Sequence, residues 1–340
     1  MRIWELNNFN IENLKSVNKD SPKILSENEV LVEMKAASLN FRDLIMIDGG
    51  YGETGGKPPF IPISDGAGII VEVGKNIKNF TKGDIVIPPF FKGWDSGSIE
   101  ENTILLSLGG KIDGVMQEYM VFEENNIVHA PKNWNCVEAA TLPCAALTAW
   151  RTIVTEGKVN KNSIVLVQGL GGVSIFAIQI AKLFDAKVVA TTSSEERMEV
   201  AKDIGADFVI NYNKNKDWWK KVLDVTNKKG VDIVVEVGGS KTLEQSIKCS
   251  RVGAVIGIIG VLSGGIAELP IGRVIYKASR LIGITCGNKE ELINMIDKFN
   301  TSEVKPIIDS TFKFKDLPDA LSYMQKGTHL GKITIDFDLE

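Results

Sequence analysis

Residues 163–184, SIVLVQGLGGVSIFAIQIAKLF, hold the reading that decides the fold. The apolar, β-branched run Ile164 to Val167 breaks on glycines at 169, 171 and 172, and an apolar segment with helical spacing follows. A buried strand, a tight turn and a helix satisfy that pattern. At such a turn the bare backbone of Gly169, Gly171 and Gly172 lets N–H groups at the helix start, Val173 among them, approach a pyrophosphate. Ser174 stands where G-x-G-x-x-G puts its third glycine, and its small side chain still lets strand and helix pack closely.

Outward from this stretch the chain alternates. KVVATT precedes SEERMEVAKDIG, DFVINY precedes KDWWKKVLDV, and VDIVVEV precedes SKTLEQSIKCS; AVIGIIG and RLIGITCG follow, before KEELINMIDKF. Short β-branched runs between amphipathic helices predict parallel strands covered on both faces. Six such strands make a complete doubly wound Rossmann sheet of two mononucleotide-binding halves. Residues 1–126 read instead as strands punctuated by Gly and Pro, a compact β-rich domain. The expected division is therefore 1–126, a dinucleotide domain over 127–288, and 289–340 returning to the first domain. The fold class is α/β.

Composition removes several classes of function. The 340 residues carry a formal net charge of −4 with both signs interleaved, so no basic stripe offers itself to nucleic acid or a membrane surface. The start, MRIWELNNFNIENLK, lacks the basic tip and apolar core of a secretory peptide, and the most apolar window, 164–183, contains Gln168, Ser174 and three glycines. A cytoplasmic protein is expected. Four scattered cysteines form no C-x-x-C pair, and the two histidines, His129 and His329, have no ligand-like spacing to them.

An NAD site wants a carboxylate at the end of the second strand for the ribose 2′-hydroxyl. Thr192 stands there, followed by Ser193, Ser194 and Arg197, and hydroxyls with a guanidinium suit a 2′-phosphate. NADP is the expected cofactor. Against this, Ser193 with Glu196 has the form of a capping box, and Glu195 and Glu196 weaken the positive field.

The order of SLNFRDL, DGAGIIVEVG, KGDIV, DGVMQEYMVF, AATLPCAALTAW, GLGGVS, IGADFVINY and VGAVIGIIG resembles the medium-chain dehydrogenase/reductase superfamily over essentially the whole chain. The resemblance implies a GroES-like β-rich catalytic domain beside the Rossmann domain, an active site in the cleft between them, and a homodimer. In the zinc alcohol dehydrogenases of that superfamily two cysteines and a histidine bind the catalytic metal. Those positions fall on Asn40, Ser64 and Cys144, and the region of the structural zinc lobe, FFKGWDSGSIEENTILLSLGGKI, contains no cysteine. An amide and an alcohol do not replace thiolate and imidazole around zinc, so no metal is expected.

Without a Lewis acid, the chain resembles the zinc-independent quinone oxidoreductases and enone reductases, in which NADPH gives a hydride to a quinone or an α,β-unsaturated carbonyl. An NAD(P)-dependent alcohol dehydrogenase and a non-catalytic NADPH-binding protein are the alternatives. The resemblance implies Asn40 and Asp43 beside the nicotinamide, with Asn40 donating its amide to a substrate oxygen; a helix cap and a salt bridge with Arg42 is the other reading of Asp43. It puts the Ser64 hydroxyl in the vacated metal pocket and Thr148 behind the nicotinamide ring. Tyr212 falls near the adenosine phosphate, and Gly238, Gly260, Val261, Cys286 and Gly287 fall where backbone meets the cofactor. Ile45 replaces the tyrosine usual two positions past the aspartate. Phe90, Phe91 and Trp94 form an aromatic cluster that either covers a planar substrate or packs under a loop, and Cys144 is expected as a small core residue.

Overall fold

The alternation after residue 163 builds one six-stranded sheet in which every pairing is parallel. Across it the strands run Phe208–Asn211, Lys187–Thr192, Ile164–Gln168, Val231–Glu236, Ser250–Ile258 and Arg280–Gly283. In chain order this is 3-2-1-4-5-6, the doubly wound arrangement. The run Val165–Val167 is fully buried, as a strand covered on both faces requires. This computed structural model describes every residue except Leu25 and Glu340, and no described helix is long and apolar enough to cross a membrane.

The chain divides into two compact units, Met1–Ala145 with Gly287–Glu340, and Ala146–Cys286. The first break thus falls after Ala145, where the sequence suggests residue 126. Residues 127–145 stay with the first unit for a physical reason: Val128–His129 pairs with Ile85–Ile87, and the short helix Cys136–Ala139 packs on the strands Asp65–Val73 and Glu29–Ser38.

The first unit is built on a seven-stranded sheet. Its path runs Ile308–Lys313, Lys332–Asp336, Glu29–Ser38, Asp65–Val73, Ile85–Ile87 and Val128–His129, with Tyr119–Glu123 also paired to Glu29–Ser38. The C-terminal return expected from GKITIDFD is the antiparallel pairing of Thr334 with Ser38 and Asp336 with Ala36. Along Glu29–Ser38 burial alternates and then becomes continuous at Ala36–Ser38. Gly68 is required where strands approach closely, since a Cβ there would lie 2.4 Å from the Glu33 carbonyl oxygen.

Candidate functional site

Within the second unit, the strand Ile164–Gln168 ends at Gly169, whose φ of +69° favours glycine and whose N–H donates to Thr191 O at 2.7 Å. Gly171 is the N-cap of the helix Gly172–Lys182 and brings no side-chain cap to it. A Cβ on Gly169 or Gly171 would meet nothing within 4 Å. These glycines therefore leave open space above uncapped N–H groups, including that of Val173, and the site fits a pyrophosphate. The Ser174 hydroxyl bonds Gln168 O at 2.7 Å, tying helix to strand in place of a third glycine.

Thr192 closes the second strand, buried, with its hydroxyl 3.3 Å from Ser194 O. The helix Glu195–Asp203 is capped by Ser194, which accepts the Arg197 N–H at 3.3 Å. This corrects the expected Ser193–Glu196 capping box: Ser193 lies one residue before the cap and its carbonyl takes Asn213 Nδ2 at 2.8 Å. Glu195 is occupied by Lys214 at 2.9 Å and Asn211 at 3.0 Å, and its carboxyl is held below the usual range, first by Lys214. Tyr212 joins this sheet end through its N–H to Thr192 O at 2.9 Å and is partly exposed. Lys214 was not singled out from the sequence, although its place just past the third strand marks it.

Gly238 and Gly260 have a reason other than cofactor contact. A Cβ at Gly238 would lie 2.2 Å from Thr242 Oγ1, and one at Gly260 would lie 2.2 Å from Val237 O, so packing within the unit already demands both glycines. Val261 is exposed, while Cys286 is buried with a φ of +67°. Thr148 is buried in the helix Leu147–Trp150, where its carbonyl accepts the Thr152 hydroxyl at 2.8 Å. Gly287 and Asn288 belong to the first unit, and Asn288 caps the helix Lys289–Phe299.

The first unit gathers a second polar cluster. Asn40 precedes the helix Phe41–Ile47, and Asp43 accepts the Asn40 N–H at 2.8 Å and the Ser64 N–H at 3.3 Å, with Arg42 Nη1 at 3.5 Å. Asp43 thus fills the capping and ion-pair role. Burial pushes its carboxyl up to about 6, against the pull of Arg42. The Ser64 hydroxyl donates to Asp65 at 2.7 Å, and the other Asp65 oxygen accepts the Cys144 N–H at 2.9 Å.

Two members of this cluster were missed in the sequence. Asp65 is fully buried, and burial pushes its carboxyl up while Lys332, the Ser64 hydroxyl and the Asn40 amide pull it down. Lys332, only 3% exposed, donates at 2.5 Å to both Leu39 O and Asn40 Oδ1. Its ammonium is pushed down by burial and drawn back up by Asp65, Cys144 and Asp43. A lysine opening the apolar strand KITID was the available signal. The Asn40 amide, expected to face substrate, is turned to Lys332 through its oxygen, with its nitrogen 3.5 Å from Ser38 O. Arg42 is held by Leu108 O and Ser107 Oγ and lies over the Phe90 ring, and Phe90, Phe91 and Trp94 are all buried in edge-on contacts. The aromatic group is packing under a loop.

Residues 26–132 match the family described as the alcohol dehydrogenase GroES-like domain, and residues 172–301 match the zinc-binding dehydrogenase family. A zinc-type alcohol dehydrogenase-like protein of Schizosaccharomyces pombe is 40% identical over 333 residues, covering 96% of each chain. The chain belongs to the medium-chain dehydrogenase/reductase superfamily. A 2-methylene-furan-3-one reductase of Solanum lycopersicum is 31% identical, covering 98% of this chain and 79% of the relative. The crystal structure of a putative alcohol dehydrogenase from Sinorhizobium meliloti 1021 superposes with a TM-score of 0.92 at 36% identity, covering 99% of this chain and 98% of that one.

As a member of this superfamily the protein is an oxidoreductase of a family that uses a nicotinamide cofactor. A zinc ion does not fit its donor set. Asn40 Oδ1 is taken by an ammonium group, the Ser64 hydroxyl donates its hydrogen bond to Asp65, and among the described residues no three His, Cys, Asp or Glu side chains are grouped to hold a metal ion. The two buried carboxylates, Asp43 and Asp65, are matched by two cations, Arg42 and Lys332.

Proposed function

We propose that this protein is a zinc-independent, NADPH-dependent reductase of quinones or α,β-unsaturated carbonyl compounds. The observation that carries the reading is the Lys332–Asn40 bond: at a position where the resemblance places a metal ligand, the amide oxygen is already closed by a buried ammonium. A conjugated acceptor suits such a site because the substrate delocalises the incoming charge itself, leaving the protein to position it and exclude water. The tomato relative, whose name specifies reduction of a conjugated ketone, supports the substrate class.

A reduced dinucleotide held by its pyrophosphate at the glycine turn would supply the hydride. Gly169, Gly171, Gly172 and Val173 hold the pyrophosphate, and Thr192, Ser193, Ser194, Arg197 and Tyr212 receive the adenosine 2′-phosphate. The pairing of Glu195 with Lys214 supports this preference by cancelling an acid beside the phosphate. Asn40, Ser64 and Thr148 remain the residues proposed for substrate and nicotinamide, with Asp43 positioning Asn40 and Ser64 through their N–H groups. Four scattered cysteines with no C-x-x-C pair fit a reducing, cytoplasmic setting.

A second copy of the chain is the proposed partner. Ile266, Ile271, Ile275 and Tyr276 are exposed large apolar side chains, Ile266 at 94%, on the segment that leads to the edge strand Arg280–Gly283.

The deciding experiment is turnover of NADPH and NADH with a panel of quinones, enones and alcohols, with and without a chelator and with metal analysis. NADPH oxidation by enones or quinones, indifferent to chelation, is expected. Stoichiometric zinc with alcohol oxidation would make the protein an alcohol dehydrogenase. Tight NADPH binding without turnover of any acceptor would make it a binding protein.

A further inference from the structure

Glu236 ends the fourth strand of the six-stranded sheet and is fully buried. One carboxylate oxygen accepts the Gly238 and Gly239 N–H groups, each at 3.0 Å, and the Thr242 hydroxyl. The other accepts Gln168 Nε2 at 2.7 Å and the Ser246 hydroxyl. All five partners donate, so the side chain acts purely as an acceptor. Gln168 ends the first strand, immediately before Gly169, and its own Oε1 takes the Gly238 N–H at 3.2 Å.

The first and fourth strands are neighbours at the point where strand order reverses, and ligands of open α/β sheets bind in the crevice beyond the strand ends there. The turn that Glu236 holds is fastened in turn to the one after the fifth strand. Gly238 O accepts both the N–H and the hydroxyl of Ser263 at 2.7 Å, and Ser240 Oγ donates to Ser263 O at 2.7 Å. One buried carboxylate thus shapes the ends of both strands. In a doubly wound sheet the first three strands take one mononucleotide and the last three take the other. The residues suited to the adenosine phosphate sit on the first half, which leaves the nicotinamide half for the strands that Glu236 organises.

We propose that Glu236 is a positioning residue for the nicotinamide half of the cofactor, holding the 238–242 and 260–264 turns in the shape that receives it. This rests on the dinucleotide reading above. A glutamine at this position does not serve. With its oxygen toward Gly238, Gly239 and Thr242, its amide nitrogen meets the donor of Gln168; turning Gln168 over would aim an amide nitrogen at the Gly238 N–H.

The test is titration of the full-length protein with NADPH and, separately, with 2′,5′-ADP, which lacks the nicotinamide half. Glu236→Gln is expected to weaken NADPH about tenfold, the worth of one bond to a charged acceptor, while 2′,5′-ADP stays within about twofold. Thr242→Val removes one donor and no backbone group; it is expected to weaken NADPH about threefold with the same selectivity, and it carries the test alone if Glu236→Gln does not fold. Should the unaltered chain prefer NADH, then NADH and 5′-AMP make the same comparison. Equal weakening of whole and half cofactor, or no change in either, overturns the proposal. Failure of the unaltered chain to bind either dinucleotide sinks the dinucleotide reading itself, and is distinguished by appearing before any substitution.

Discussion

Replacing Lys332 by Met tests whether the buried ammonium organises the first unit's polar cluster. Methionine keeps the apolar stem of the side chain but removes the ammonium, leaving Leu39 O and Asn40 Oδ1 without the bonds they now accept at 2.5 Å. Each buried acceptor left unmade costs about 1–3 kcal/mol. Lys332 also lowers the carboxyls of Asp43 and Asp65, both fully enclosed, so its loss leaves one buried negative charge unmatched. Breaking one side of a buried charge pair costs about 3–5 kcal/mol, and we take that as the whole effect because the unmade bonds are part of it. For a unit of this size the melting temperature falls on the order of 10 °C at neutral pH. The loss is expected to shrink as pH falls through the folded Asp43 value of about 6, where that carboxyl accepts a proton and the missing cation matters less. Calorimetry of both proteins between pH 5 and 8 reads this out. A loss below about 1 kcal/mol, or one constant across that range, would refute the electrostatic account of the cluster.

Asp43 gives a second pH test: its folded carboxyl sits at about 6 against 3.8 unfolded, so its stabilising contribution is complete below the unfolded value and is lost as pH rises through the folded one. Ionising it costs about 3 kcal/mol, and Asp43→Asn should remove that decline between pH 4 and 7 in urea unfolding; a parallel curve would contradict it. Arg197→Ala is expected to raise the KM for NADPH about tenfold or more and barely move that for NADH, and an equal effect on both would defeat the 2′-phosphate assignment. Gly169→Ala should cost the fold about 1–2 kcal/mol through its positive φ, and its methyl, entering space that no protein atom fills, should weaken either dinucleotide; unchanged binding by titration would show the turn does not face the ligand. Ile266→Asp together with Tyr276→Glu should give a monomer by light scattering if that face joins two copies, and persistence of a dimer would place the interface elsewhere.

The second unit was legible because its information is local. Its first four strands are runs of four to six residues rich in apolar, β-branched side chains, each helix has its own period, and the turn at Gly169 carries its conformational demand in its residue types. The helix cap at residues 193–194 was harder, since two adjacent serines offer the same hydroxyl and the choice of Ser194 depends on where the second strand stops. The first break between units was misplaced by the same measure: residues 127–145 have no sheet of their own, and only their pairing with Ile85–Ile87 and packing on Asp65–Val73 assign them.

The first unit's cluster was half visible, and the missing half changes its chemistry. Asn40, Asp43, Ser64 and Cys144 stand in quotable motifs, and as a set of donors they suggest an empty metal pocket with an amide free for substrate. Lys332 enters from a strand nearly three hundred residues later in the chain, brought beside Asn40 by the antiparallel pairing of Thr334 with Ser38. Asp65 sits next to Ser64, but nothing in PISDGAG shows that it is the acceptor on which Ser64 and Cys144 converge. With both in place the cluster is filled by its own charges: two carboxylates face two cations, and the amide oxygen at the position of a metal ligand meets an ammonium instead. A divalent cation entering there would have to displace Lys332 from acceptors at 2.5 Å and bind beside a cation it repels. That electrostatic conflict, added to the loss of cysteine and histidine, is the physical support for the proposal that the developing charge is left on a conjugated substrate.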